Sequence, residues 1–179
     1  MADRIDARLA ELNIELPEAA APVANYVPYV VTGNLVYLAG QIPVAGGKVQ
    51  YAGKVGRDLT VEQGQQAARL CALNLLAQLK AACGGDLDRV VRCVKIQGFV
   101  QATDDFTDHP KVINGVSDLM VALFGEAGRH ARFAVGADSL PLLFGMAFAL
   151  GVALAFERPA GAALLPSLVP REIFQSAVV

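Results

Sequence analysis

The stretch Gly128-Arg129-His130-Ala131-Arg132-Phe133-Ala134-Val135-Gly136-Ala137-Asp138-Ser139-Leu140-Pro141 carries an arginine into apolar company. Phe133, Val135 and then Leu140 alternate with small residues, which reads as a β-strand. An arginine on such a strand is either a solvated edge residue or an anion clamp. Its guanidinium holds five donors in a rigid fork and stays charged wherever it sits. A half-buried Arg132 therefore needs an acidic partner or an anionic ligand.

Outward from this strand, the chain alternates strand and helix signals. Arg89 to Val100 alternates polar and apolar residues and reads as a strand. Asp104 to Asp108 caps a helix running to Phe124, with Gly125 as its stop. A longer helix has Thr60 as N-cap and Gln63 three residues on, the spacing of a capping box. Its apolar stripe Ala67, Ala68, Cys71, Leu75, Leu76 and Leu79 is broad enough to cover a sheet, and Gly84-Gly85 ends it. Upstream, Tyr26 to Val31 and Leu35 to Ala39 flank Thr32-Gly33-Asn34, a hairpin signal because Gly33 and Asn34 tolerate positive φ. Gly46-Gly47 turns into a further strand from Lys48 to Tyr51. Residues Asp3 to Leu12 space Ile5, Leu9 and Leu12 as a short amphipathic helix, followed by an Ala-rich linker bounded by Pro17 and Pro22. The order predicts an α+β fold, with two helices packed on one face of a mixed sheet.

Composition narrows the function classes. The chain has 179 residues, with 15 Lys plus Arg against 17 Asp plus Glu. This near-neutral balance, without a basic run, recommends neither nucleic acid nor a charged membrane surface. Cys71, Cys83 and Cys93 are odd in number, sit in apolar periodic segments and form no Cys-x-x-Cys pair, which points away from disulfides and zinc and toward a reducing cytoplasm. His109 and His130 lack metal-ligand spacing, so no metal is expected. The N-terminus is charged and amphipathic rather than the start of a secretory signal.

Several segments together are similar to the Rid (reactive intermediate deaminase, or YjgF) family. They are Val27-Pro28-Tyr29, the run from Gly33 to Pro43, the region from Asp105-Phe106 to Asn114, and Ala131 to Gly136 leading to Leu140-Pro141. The resemblance covers about residues 22 to 141, within a domain of residues 1–141 whose first 21 residues are helix and linker. It implies a chorismate-mutase-like fold, a homotrimer and hydrolysis of imino acids to keto acids and ammonia without a cofactor. It assigns Arg132 to the substrate carboxylate, and Tyr29, Gly40 and Asn114 to the same pocket. Two positions depart harmlessly: Ala134 stands for a frequent pocket cysteine and Ala39 for a serine. A third departure bears on the reaction, because the glutamate expected on the last strand is missing before Glu157. The alternative to a deaminase is therefore a non-catalytic module that binds small carboxylates.

Residues 142–179 form a hydrophobic segment of another character. Between Asp138 and Glu157 no residue is charged, and from Phe144 onward the chain resembles a helix and following loop of major facilitator drug-efflux transporters. Three readings stand: a fused fragment, a substitute last strand over Gly151 to Phe156, and an apolar helix that packs on the sheet or inserts into a membrane.

Overall fold

Thr60 opens the longest element. In the computed structural model, which describes residues 4–22 and 24–137, helix α2 spans Val61–Ala82 and both halves of the predicted capping box are made. The Gln63 amide donates to Thr60 Oγ1 at 3.2 Å, and the Thr60 amide donates to Gln63 Oε1 at 2.8 Å. These bonds satisfy two amides that helix geometry leaves unpaired. Thr60→Ala is expected to lower stability by about 1 kcal/mol, read as a shift in urea midpoint at unchanged slope.

The other elements are helix α1 (Arg4–Glu11), strands β1 (Tyr29–Thr32), β2 (Leu35–Leu38), β3 (Val44–Ala45), β4 (Lys48–Val49) and β5 (Lys95–Val100), helix α3 (His109–Phe124) and strand β6 (Ala131–Gly136). Among the described residues the strands form three pairs. β1 with β2 and β3 with β4 are antiparallel, whereas β5 and β6 are parallel, from Lys95 opposite Ala131 to Val100 opposite Gly136. Helix α2 packs against β1, β2 and β3, and α3 packs against β5 and β6, while the two helices lie against each other. The expected α+β architecture is thus present, with its strands in three pairs.

The helix pair holds the core. Gly64, Ala68, Ala72 and Leu76 recur every fourth residue on α2 and are buried, facing an α3 that buries Val112, Val116, Leu119 and Leu123. Small residues on one helix let the larger ones of the other seat closely. The N-terminal helix is tied to this body. The Arg4 and Ile5 amides donate to the Asp88 carboxylate at 2.5 and 3.0 Å, and Lys80 Nζ lies 2.8 Å from Asp6 Oδ1. Ile5 is consequently one of the most buried side chains.

Several predicted boundaries move, each for a local reason. The first strand begins at Tyr29 rather than Tyr26, since Pro28 has no amide to donate and only its carbonyl pairs, with the Ala39 amide. In the hairpin turn only Gly33 takes a positive φ, at 55°; Asn34 does not. Tyr51, at φ 55°, lies past the end of β4. The strand read from Arg89 begins only at Lys95, because Leu87–Arg89 is a 3-10 turn and β6 offers no partner before Ala131. At α3, Asp108 occupies the N-cap without a side-chain cap bond; its carboxylate pairs instead with Lys111 Nζ at 2.8 Å. Gly125, at φ 60°, ends that helix as predicted. The segment 142–179, with its transporter-like run, the alternative strand at Gly151 to Phe156 and the absent glutamate, lies outside the described residues, as does the boundary at Pro141. Among the described residues no helix is long and apolar enough to cross a membrane.

Candidate functional site

β6 begins three residues after a 3-10 turn over Gly125–Gly128, which delivers the chain back toward α3. In a parallel pair covered by one helix, alternate residues face that helix. A Cβ added at Gly98 of β5 would collide with Ile113 of α3, and one added at Gly136 of β6 would lie 2.5 Å from His109 Nε2. Gly136, Ala134 and Arg132 therefore share the α3 side of β6. Arg132 reaches that helix: Nη1 donates to Asn114 Oδ1 at 2.7 Å and to Ser117 Oγ at 3.2 Å. Asn114 and Ser117 are one helical turn apart, so both present to the same side.

Both acceptors are neutral. Among the described residues Arg132 makes no ion pair, and neither Nε nor Nη2 makes a hydrogen bond, so one full edge of the fork is unpartnered there. That edge carries the two parallel N–H groups a carboxylate takes side-on. Of the two readings of Arg132 open at the level of sequence, an internal acidic partner is thus absent among the described residues. The guanidinium is exposed at its strand but anchored to α3, which holds the fork in one orientation.

Two further side chains complete the constellation. Ser117 Oγ lies 3.1 Å from His130 Nε2, and His130 Nδ1 lies 2.7 Å from the Gly128 carbonyl oxygen. Ser117, His130 and Arg132, with Val121 and Arg129, line a concavity of about 300 Å³. Ser117 was not among the residues singled out from the sequence, and His130 was weighed there only as a metal ligand. The signal that could have found them is spacing: Asn114-x-x-Ser117 on a helix and His130-x-Arg132 on an extended segment.

Tyr29 and Gly40 lie elsewhere. Tyr29 opens β1 opposite Leu38, and the bond from the Ala39 amide to the Pro28 carbonyl brings Gly40 to the same open end of the hairpin. Neither residue is hydrogen-bonded to Arg132 or lines its concavity among the described residues. A Cβ built at Gly40 would meet nothing within 4 Å, so nothing described in this chain requires glycine there. The four residues expected to share a pocket therefore fall into two pairs, Arg132 with Asn114 and Tyr29 with Gly40.

The cysteines are poor nucleophiles. Burial pushes the Cys71 thiol up to about 11 and raises Cys83 and Cys93 as well, which disfavours the thiolate.

Comparison with known proteins adds four findings. Residues 6–156 match the family model described as "YjgF/chorismate mutase-like, putative endoribonuclease". Protein TCP17 of Trypanosoma cruzi is 49% identical over 139 residues, covering 77% of this chain and 86% of its own. The Agrobacterium tumefaciens protein Atu1372, of unknown function, is 50% identical with a TM-score of 0.71 over 77% of this chain and 84% of its own. A Shewanella oneidensis protein described as a "putative endoribonuclease" is 41% identical with a TM-score of 0.72, over 77% and 91%.

Proposed function

We propose, from the premise that this chain belongs to the YjgF/chorismate mutase-like family, that it hydrolyses reactive imino acids to keto acids and ammonia, with Arg132 holding the substrate carboxylate. The observation that carries this reading is a guanidinium fixed to α3 through Nη1 whose other edge has no partner among the described residues. A clamp of this kind fixes a 2-imino acid by the group next to its reactive carbon, so that positioned water can attack. Ammonia release from freshly generated 2-aminoacrylate tests it. Turnover well above the spontaneous rate supports the deaminase; binding of small carboxylates without turnover supports the non-catalytic module that the missing glutamate favours.

Within this reading the site is completed between copies of the chain in a homotrimer. The face of the β5–β6 pair away from α3 exposes Phe99 (64%) and Phe133 (44%), and the hairpin exposes Val30 (51%) and, opposite it, Tyr37 (60%). Large apolar side chains aligned on strands favour burial against another copy. Tyr29 and Gly40 of one copy would then approach Arg132 of another. Phe99→Glu is expected to convert the trimer to monomers in gel filtration with light scattering, and to lower imine turnover with it. A trimer that persists in this variant places the assembly face elsewhere.

A further inference from the structure

His130 sits between two hydrogen-bond partners that define its proton. The Gly128 carbonyl, 2.7 Å from Nδ1, can only accept, so Nδ1 carries the hydrogen and the neutral ring presents a lone pair at Nε2. Ser117 Oγ lies 3.1 Å from that lone pair and sends its own hydrogen there. The hydroxyl is thereby left as an acceptor for Arg132 Nη1, which donates to it at 3.2 Å. Each bond fixes the next: the carbonyl sets the tautomer, the ring sets the hydroxyl, and the hydroxyl holds one N–H of the guanidinium. Asn114 Oδ1 takes the other Nη1 hydrogen at 2.7 Å. The direction of the Nε and Nη2 edge is thus set from the far side of the fork.

Electrostatics couples the same groups. Two bonds through Ser117 Oγ keep His130 Nε2 and Arg132 Nη1 about 6 Å apart or less, close enough for a charge on one to act on the other. Protonation makes Nε2 a donor, so Ser117 Oγ then accepts from two cations and its own hydrogen turns away. The other charged groups beside the ring are Arg129, whose Nε pairs with Glu126 at 3.0 Å, and Arg92, whose Nη2 donates to the Arg129 carbonyl at 3.3 Å. On β5 Lys95 lies opposite Ala131, and α3 presents the neutral Ser117 and Val121 to the shared concavity. Arginine, lysine and glutamate keep their charge between about pH 5.5 and 8.5, so among these groups only the histidine changes charge there.

We propose that His130, acting through Ser117, positions the Arg132 fork and ties its hold on a carboxylate to pH; this rests on Arg132 binding that carboxylate. The ring is a positioning residue. A ligand on Nε and Nη2 lies across the guanidinium from Ser117 and touches neither Ser117 nor His130. When the ring is protonated, its charge draws the anion more tightly, and the anion in turn offsets the repulsion between the two cations. As pH rises through the histidine range, that charge and that part of the affinity are lost. A unit charge roughly 10 Å from the carboxylate, at an effective dielectric of about 20 and screened by about 0.1 M salt, changes affinity by about threefold. Linkage is reciprocal, so the bound carboxylate favours the protonated ring by the same factor.

The test is calorimetric titration of the full-length chain with pyruvate, which stays ionised throughout, at about pH 5.5 and 8.5. Wild type is expected to bind about threefold more tightly at the lower pH. His130→Gln, whose amide oxygen can accept from Ser117 but takes no proton, is expected to keep the wild-type affinity at the higher pH and to lose the pH dependence. His130→Ala is expected to bind more weakly than wild type at both values. A wild type whose affinity ignores pH, or a His130→Gln that keeps the dependence, overturns the coupling and leaves the clamp standing. A His130→Ala that matches wild type at the higher pH overturns the positioning. A wild type that binds no pyruvate at either pH overturns the clamp and this inference with it. If the variants melt early, the ring's own titration by NMR in wild type decides. The chain has two histidines, and only the His130 midpoint is expected to rise with saturating pyruvate; an unmoved midpoint overturns the coupling.

Discussion

Arg132→Ala is expected to weaken binding of small carboxylates, and imine turnover as kcat/KM, by about a hundredfold. The estimate follows from losing charge-assisted hydrogen bonds worth about 3 kcal/mol together. Arg132→Lys should fall between, because an ammonium keeps the charge but lacks the fork. Stability should barely change in either variant: Arg132 is exposed on its strand, and the half-buried Asn114 and Ser117 can turn to water or to each other's neighbours. Calorimetric titration with a keto acid and a thermal melt on the same samples separate the two effects. Unchanged affinity in Arg132→Ala would mean the free guanidinium edge is ordinary solvated surface and that the proposed site is wrong.

Gly115→Ala should have the largest effect on folding. Alanine at an exposed glycine in a helix is usually worth about 1 kcal/mol in its favour. At Gly115 of α3 the sign should reverse, because the new Cβ would run into the carbonyl of Gln65 on α2. The same contact zone already seats the Gln65 side chain, whose Nε2 donates to the Lys111 carbonyl at 2.9 Å. Backbone cannot give way as a flexible side chain can, so the helices must separate, at a cost of about 3 kcal/mol. A fall in melting temperature of about 10 °C is expected for a body of this size. Gly40→Ala is the control: its Cβ would meet nothing within 4 Å, so the melt should stay put. A melt for Gly115→Ala at or above wild type would show that the α2–α3 contact is looser than described.

Legibility differed by the range of the interaction involved. Thr60 with Gln63, and Gly125 as a stop, are local devices whose partners lie within a few residues, and they were readable from spacing. The beginning of β5 was not. Alternation from Arg89 onward marks an extended chain, but a strand also needs a partner, and β6 offers none before Ala131. Asp108 shows the same limit at short range, since a carboxylate that could cap α3 is taken by Lys111. Arg132 and Asn114 were both named from sequence: the chemistry of Arg132 left it as a solvated edge residue or an anion clamp, and family resemblance assigned both residues to a carboxylate pocket. Ser117 was missed and His130 was read only as a metal-ligand question, for a serine in a helix and a histidine before a strand carry no further signal until the two are brought within 3.1 Å.

By itself, then, the sequence determined the order of helices and strands, their caps and stops, and the family to which the chain belongs, because these rest on local propensity and on ordered motifs. Only the tertiary structure decided that Arg132 is fastened to neutral groups on α3 with one edge unpartnered among the described residues, that a serine and a histidine join it, and that Tyr29 and Gly40 belong to the β1–β2 hairpin rather than to the β5–β6 pair. Those facts depend on packing α3 against the parallel β5–β6 pair, which brings side chains 13 to 18 positions apart into hydrogen-bond range, and no local pattern encodes that distance.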